Sequence, residues 1–191
     1  MDELENMKAM WLELNQRVSA LEAENRNLAR KVSNEKYKSA RDRLIRKYTA
    51  FIIVEVIMIL YTFAFIGFNP MVVEKYRMVT CFYWLIFFLL GVAVDFYLRQ
   101  RLVELDIYNS SVREISSQAA RSWKIHKLAI IIGFPIAIGA VILFALALDA
   151  NEFTIYGMIF GALIGATIGF FQLRKFLQYY RLLQTSPSDD I

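Results

Sequence analysis

Apolar residues are concentrated in four long runs along the chain, at 48–68, 78–98, 128–148 and 153–173. A helix of ~21 residues rises ~30 Å, which matches the hydrocarbon core of a bilayer. In a soluble protein, four such helices would need burial on all sides, and 191 residues supply too little polar surface to cover them. The pattern therefore predicts an all-α fold, a four-helix transmembrane bundle over residues 48–173.

The polar N-terminal segment has a different repeat, with apolar residues at alternating intervals of three and four. The repeat contains one asparagine and runs through Leu4, Met7, Trp11, Leu14, Val18, Leu21, Asn25, Leu28 and Val32. These are a and d positions of a heptad, and branched Val at a with Leu at d favours two parallel strands. Asn25 at an a position fixes the register, because its amide can be satisfied by the same residue of a partner. We expect a cytosolic parallel coiled coil over residues 1–35.

This segment, over residues 2–32, resembles the leucine zippers of bZIP transcription factors. The resemblance implies self-association, and the flanking charges agree, because Arg17 would face Glu22 of a second copy. It does not imply DNA binding, since the basic region of a bZIP protein precedes the zipper and the basic stretch here follows it. Trp11 is bulky for a tight dimer, so a trimer or a zipper from another protein stays an alternative. A solitary amphipathic helix on the chain's own surface is a further one.

The zipper connects directly to the first apolar run. Residues 36–47 are predicted to form a basic juxtamembrane helix, and Ala40, Leu44 and Tyr48 continue a spacing of four through it to the start of the first apolar run. No Gly or Pro precedes Gly67, so one helix can run from the zipper into the bilayer.

Basic residues lie almost entirely on one side of the predicted membrane. Of the 22 Lys and Arg residues, all but Lys75 and Arg77 fall in the N-terminal segment, in residues 99–127 or in the tail, 174–191. Positively charged segments resist translocation, so these three parts and both termini are predicted to be cytosolic. The acidic N-terminus does not resemble a signal peptide, so the first span directs insertion. We expect a multi-pass protein of a bacterial inner (plasma) membrane whose basic residues contact anionic headgroups.

Residues 99–127 are predicted to form a cytosolic helical hairpin. Its second helix begins at a capping box of Ser111 and Glu114, and it carries an apolar stripe formed by Val112, Ile115, Ala119 and Trp123. The stripe is expected to pack on the first half of the hairpin or on the extension of span 1, and a docking surface for a soluble partner is the second choice. His126, the single histidine, is interpreted as an anchoring residue at the membrane interface and not as a ligand.

Two carboxylates lie within the apolar runs, and each costs about 2.5 to 3.5 kcal/mol in lipid on insertion scales unless it is paired or hydrated. Asp95 is one turn from the end of span 2 and can reach water or pair with Arg99 at i+4. Glu55 is deeper and has no basic neighbour within a turn. Three roles are therefore open for it: part of a cation path, part of a proton relay, or acceptor of an interhelical hydrogen bond from a tyrosine. The structural hydrogen bond is preferred.

Span 4 carries a glycine zipper, with Gly157, Gly161, Gly165 and Gly169 at strict intervals of four. Such a stripe lets helix backbones approach closely and pack through van der Waals contact. The partner is either span 3 of the same chain, with its Gly133, or a second subunit, and packing within the chain is favoured.

The sequence contains no pattern of catalytic, cofactor-binding or metal-ligating residues, and Cys81 is its single cysteine. The layout resembles uncharacterised small bacterial multi-pass inner-membrane proteins with an N-terminal coiled coil. We expect a non-enzymatic scaffold or signalling component that forms a homo-dimer or higher oligomer, or captures a cytosolic protein, through its coiled coil, without nucleic acid or cofactor. The alternative is a channel or transporter subunit that uses Glu55 and the glycine-striped fourth span.

Overall fold

The computed structural model describes residues 2–68 and 72–184, without the side chains of Asp2, Leu4 and Ala9. Within that part every regular element is a helix. The helices are α1 (Asp2–Tyr61), continued by a π-helical segment (Thr62–Gly67), then α2 (Glu74–Val103), α3 (Val112–Ala147) and α4 (Glu152–Gln184). Four helices are long and apolar enough to cross a membrane. The all-α class and the four apolar helices predicted from the sequence are confirmed.

Helix α1 is uninterrupted for 60 residues, which corresponds to a rod of ~90 Å. The prediction that the zipper runs into the first span as one helix is therefore confirmed. Its first half touches little else in the chain, because every described side chain from Glu3 to Val32 is exposed. The two ion pairs in this half lie along the helix itself, from Arg17 to Glu13 at 2.6 Å and from Arg26 to Glu22 at 3.8 Å.

The main hydrophobic core lies where α1 meets the other helices, at the end of the bundle formed by residues 37–48, 98–126 and 174–184, which we call the basic end. All four helices and the loop after α2 contribute buried side chains to it. We call this cluster the basic-end core, and it contains Tyr37, Ala40, Leu44, Tyr48, Leu98, Leu102, Leu105, Ile107, Ile115, Ala119, Phe176, Tyr180 and Leu183.

The hairpin between α2 and α3 closes this core from one side. The predicted capping box is present, with the Ser111 backbone N–H donating to Glu114 at 2.9 Å and the Glu114 N–H donating to Ser111 Oγ at 3.3 Å. Ile115 and Ala119 of the predicted stripe are buried in the basic-end core, to which α1 and α2 also contribute. Arg41 of α1 donates to the Leu105 carbonyl at 2.9 Å, which fastens the hairpin to the long helix.

The exposed turn of the hairpin is organised by Asp106. Its carboxylate accepts hydrogen bonds from the side chain of Asn109 at 2.7 Å and from the backbone N–H groups of Asn109 and Tyr108. These bonds, the side-chain one above all, hold the pKa of Asp106 below its usual range, because they favour the ionised form.

A smaller cluster joins the helices at the opposite end. It contains Ile66, Val72 and Ala147, with Phe144 and Trp84 packed against it. The Val73 N–H donates to the Ala147 carbonyl at 2.7 Å, which ties the start of α2 to the end of α3. The helices are thus fastened at both ends, and the space between α1, α2 and α3 lies between these two clusters.

Candidate functional sites

The heptad seam predicted from the sequence is an exposed apolar surface. The described apolar seam residues, from Met7 to Val32, are 44% to 69% exposed, and Asn25 is exposed as well. The side chain of Leu4, the first seam residue, lies outside the described part of the chain. The alternative of a helix lying on the chain's own surface is not found, because every described side chain of the seam is exposed.

The seam and the buried face of α1 point in different directions. Ala40 lies twelve residues after Leu28, and Leu44 lies twelve residues after Val32; twelve residues at ~100° each turn the helix by ~120° beyond whole turns. Seam residues such as Leu28 are exposed, whereas Ala40 and Leu44 are buried in the basic-end core. At this end of the seam a second copy can therefore pack on one face of α1 while the bundle stays attached to another.

His126 lies inside an aromatic cluster at the basic end, and the expectation of an interfacial anchor is wrong. The Tyr48 hydroxyl lies 3.0 Å from His126 Nδ1 and 3.0 Å from the Tyr180 hydroxyl. The imidazole stacks on Phe176 at a centroid distance of 4.7 Å and on Trp123 at 5.7 Å. One arrangement satisfies all three polar groups: Tyr180 donates to Tyr48, and Tyr48 donates to Nδ1 of a neutral His126. The cluster is a structural joint between α1, α3 and α4.

A cavity of about 480 Å³ lies between α1, α2 and α3. Its wall is mostly apolar, from side chains of α2 and α3, and its polar part comes from Glu55, Asp95 and His126. The structure thus brings both carboxylates of the predicted spans to one cavity. No group of three or more His, Cys, Asp or Glu side chains in the described part of the chain could hold a metal ion.

Glu55 lies against Gly91 of α2. A Cβ atom built on Gly91 would overlap Glu55 Oε1 and lie 3.0 Å from its Cδ, so a larger residue at position 91 would require the Glu55 carboxyl group to move. Glu55 Oε2 is buried and, within residues 2–68 and 72–184, has no hydrogen-bond partner. The preferred prediction of a hydrogen bond from a tyrosine is therefore wrong for this oxygen. Gly91 was missed, although it is the single glycine of span 2 and stands one turn from Asp95.

Asp95 is not paired with Arg99. The Arg99 Nε donates instead to Thr49 Oγ1 of α1 at 3.0 Å, and none of the ion pairs found among the described residues involves Asp95. The i+4 spacing made the pair possible, but contact with the long helix directs the guanidinium away from the carboxylate.

Within residues 2–68 and 72–184, the glycine zipper of α4 has no packing partner. A Cβ atom at any of Gly157, Gly161, Gly165 and Gly169 would find no atom within 4 Å beyond its own helix, and the same holds for Gly133 of span 3. The apolar stretch of α4 contains no buried residue. Packing of the stripe on span 3, the favoured alternative, is therefore not found.

Comparisons with protein-family models, with curated proteins and with solved structures found no match. The resemblances stated from the sequence accordingly stay expectations, and the function is argued from the geometry alone.

Proposed function

We propose that this chain is a non-enzymatic, homo-oligomeric scaffold or signalling component of the bacterial inner membrane that self-associates through its N-terminal coiled coil. The observation that carries the proposal is the heptad seam, which is solvent-exposed along a helix that continues without a break into the first apolar run. A long exposed apolar stripe on a polar helix is unfavourable in water unless a partner covers it. A second copy of the same seam matches it position by position.

The geometry supports a parallel arrangement of two chains. At Leu28 and Val32, next to the bundle, the seam lies ~120° around α1 from the face that carries the bundle, so the bundle leaves this end of the seam free for a second copy. Asn25 would meet its counterpart at the centre, and Arg17 would exchange its partner along the helix, Glu13, for Glu22 of the second copy.

Orientation follows from charge. The basic residues in the second half of α1, in the hairpin and at the end of α4 lie around the basic end. Positive segments resist translocation and are attracted to anionic headgroups, and both effects favour a cytosolic position for this end. A rotation imposed on the zipper would pass along α1 to Glu55, since no glycine or proline interrupts the helix before Gly67. This continuity supports a signalling role in addition to anchoring.

Disulfide cross-linking in native membranes tests the proposal. In a Cys81→Ser background, Leu21→Cys places a thiol at a d position, and the matched control Ala23→Cys places one on the outer face of the same turn. A parallel, in-register pair brings the first thiol close to its own copy and keeps the second one far from it. We expect a dimer band for Leu21→Cys only. Equal cross-linking of the two variants, or none in either, would contradict the proposal.

A channel or transporter subunit is the second candidate, and the cavity with its two carboxylates is the observation in its favour. The cavity is bounded by α1, α2 and α3, and the glycine zipper of α4 takes no part in it. Cation flux into proteoliposomes that disappears in Glu55→Gln would favour transport, and flux that is absent or indifferent to Glu55→Gln would exclude it.

A further inference from the structure

The cavity between α1, α2 and α3 has the composition of a binding site for an amphiphile. Its volume, about 480 Å³, lies within the range of small-molecule sites, ~300 to 1,000 Å³. Phe87, Phe88 and Ile136 belong to its apolar wall, while Glu55 and Asp95 supply two carboxylates. Such a site combines a large apolar surface with a few polar groups that fix the orientation of the ligand.

The carboxyl groups of the site have no basic partner within the described part of the chain. Glu55 Oε2 is buried without a hydrogen-bond partner among the described residues, and Arg99, the nearest basic residue along α2 from Asp95, is engaged with Thr49. A carboxylate in a low-dielectric setting is stabilised by a cation. Among the described residues the cavity lining contains no Lys or Arg, and its His126 is neutral when it accepts the hydrogen bond from Tyr48. Gly91 has no side chain, so the Glu55 carboxyl group has room to lie against α2 at the cavity wall.

We propose that this cavity binds a lipophilic cation, with the positive charge between Glu55 and Asp95 and the apolar body against α2 and α3. An inorganic cation fits less well, because it needs several oxygen ligands and the wall is mostly apolar. An anion is disfavoured, because two acidic side chains line the cavity. The inference stands apart from the proposed self-association, since all three helices belong to one chain.

The ligand enters from the lipid. Leu90, Leu128 and Ile132 belong to the cavity lining and are each more than half exposed, so they form a rim on the outer surface of α2 and α3. In a bilayer this surface faces acyl chains, in which lipophilic cations are concentrated. An amine-bearing lipid headgroup has the same chemistry and can reach the site by the same path.

Binding of tetraphenylphosphonium to the full chain in phosphatidylglycerol nanodiscs tests the proposal by equilibrium dialysis. Tetraphenylborate, which has the same shape and the opposite charge, is the ligand control. We expect saturable binding of the cation at about one per chain, and uptake of the anion no greater than by empty nanodiscs. Absence of saturable cation binding, or equal saturable binding of the anion, would overturn the proposal.

Substitutions of residues that line the cavity test whether the cation binds there. Glu55→Gln and Asp95→Asn should each weaken cation binding at least tenfold, and Glu152→Gln, the same change at the start of α4, should leave it unaltered. Gly133→Leu fills the cavity without touching a charge, because a side chain there meets open space, and it should abolish binding. Full affinity in both Glu55→Gln and Gly133→Leu would show that the cation binds elsewhere.

A second lipid composition separates the two sources of the cation. Phosphatidylethanolamine added to the nanodiscs should lower the apparent affinity for tetraphenylphosphonium if the headgroup amine occupies the cavity, and this competition should vanish in Glu55→Gln. An unchanged affinity would assign the site to free lipophilic cations.

Discussion

Truncating Leu44 to Ala measures how much the basic-end core contributes to holding the helices together. Leu44 is fully buried, at 0% exposure, in a cluster to which all four helices contribute. Removing a buried leucine side chain to Cβ costs about 2 to 5 kcal/mol, the loss of transfer free energy plus the cavity left behind. Because neighbours on four helices restrict collapse of the site, we expect about 3 kcal/mol, roughly a hundredfold change in the unfolding equilibrium.

The matched control is Leu163→Ala in the apolar stretch of α4, where the side chain is 62% exposed. Lipid is as apolar as leucine, so the same truncation there should cost less than about 0.5 kcal/mol. Unfolding in mixed micelles, followed by the fluorescence of Trp123 in a background with Trp11 and Trp84 changed to Phe, measures both. A cost below about 1 kcal/mol for Leu44→Ala, or an equal cost for Leu163→Ala, would refute the assignment of the core.

Three further predictions follow from single sites. Tyr48→Phe should lower the free energy of unfolding by about 1 to 3 kcal/mol, because it leaves both the Tyr180 hydroxyl and His126 Nδ1 without their partner. Tyr180→Phe should lower it by less, and thermal unfolding in detergent compares the two variants. Asn25→Leu should stabilise the zipper but yield a mixture of oligomers, which native mass spectrometry resolves. The pKa of Asp106, measured by NMR titration, should lie below that of an unstructured Asp, so its turn loses stability as the pH falls through that lowered value.

Features set by near neighbours in the sequence were predictable. The continuity of α1 followed from the absence of Gly and Pro, and the start of α3 followed from the spacing of Ser111 and Glu114. The buried face of α1 was visible as the spacing of four in Ala40, Leu44 and Tyr48, although their role as core residues was not stated. Helix periodicity and capping are local properties, and tertiary contacts did not override them here.

Features that depend on which helices meet were not predictable. Arg99 bonds to Thr49, fifty residues away, and not to Asp95 on its own helix. His126 stands beside Lys127 in the sequence, but Phe176 and Tyr48 from other helices enclose it. A single sequence shows which face of each helix is apolar, but not which other helix packs on that face.

The cavity is the clearest example of this limit. Glu55 was recognised from the sequence because a charge within an apolar run is conspicuous. Gly91 makes space for it on a different helix, and the side chains of α3 that complete the wall are ordinary apolar residues. A glycine one turn from a second intramembrane carboxylate was the single local signal available.

The central claim is that two chains associate through the heptad seam. Single-molecule photobleaching tests it directly, with one fluorophore on the C-terminus of each full-length chain in lipid particles extracted from native membranes without detergent. We expect two bleaching steps for the natural sequence and one step for Val18→Glu with Leu21→Glu, which places like charges at the a and d positions of one heptad. One step for the natural sequence, or two steps that survive both substitutions, would contradict the account.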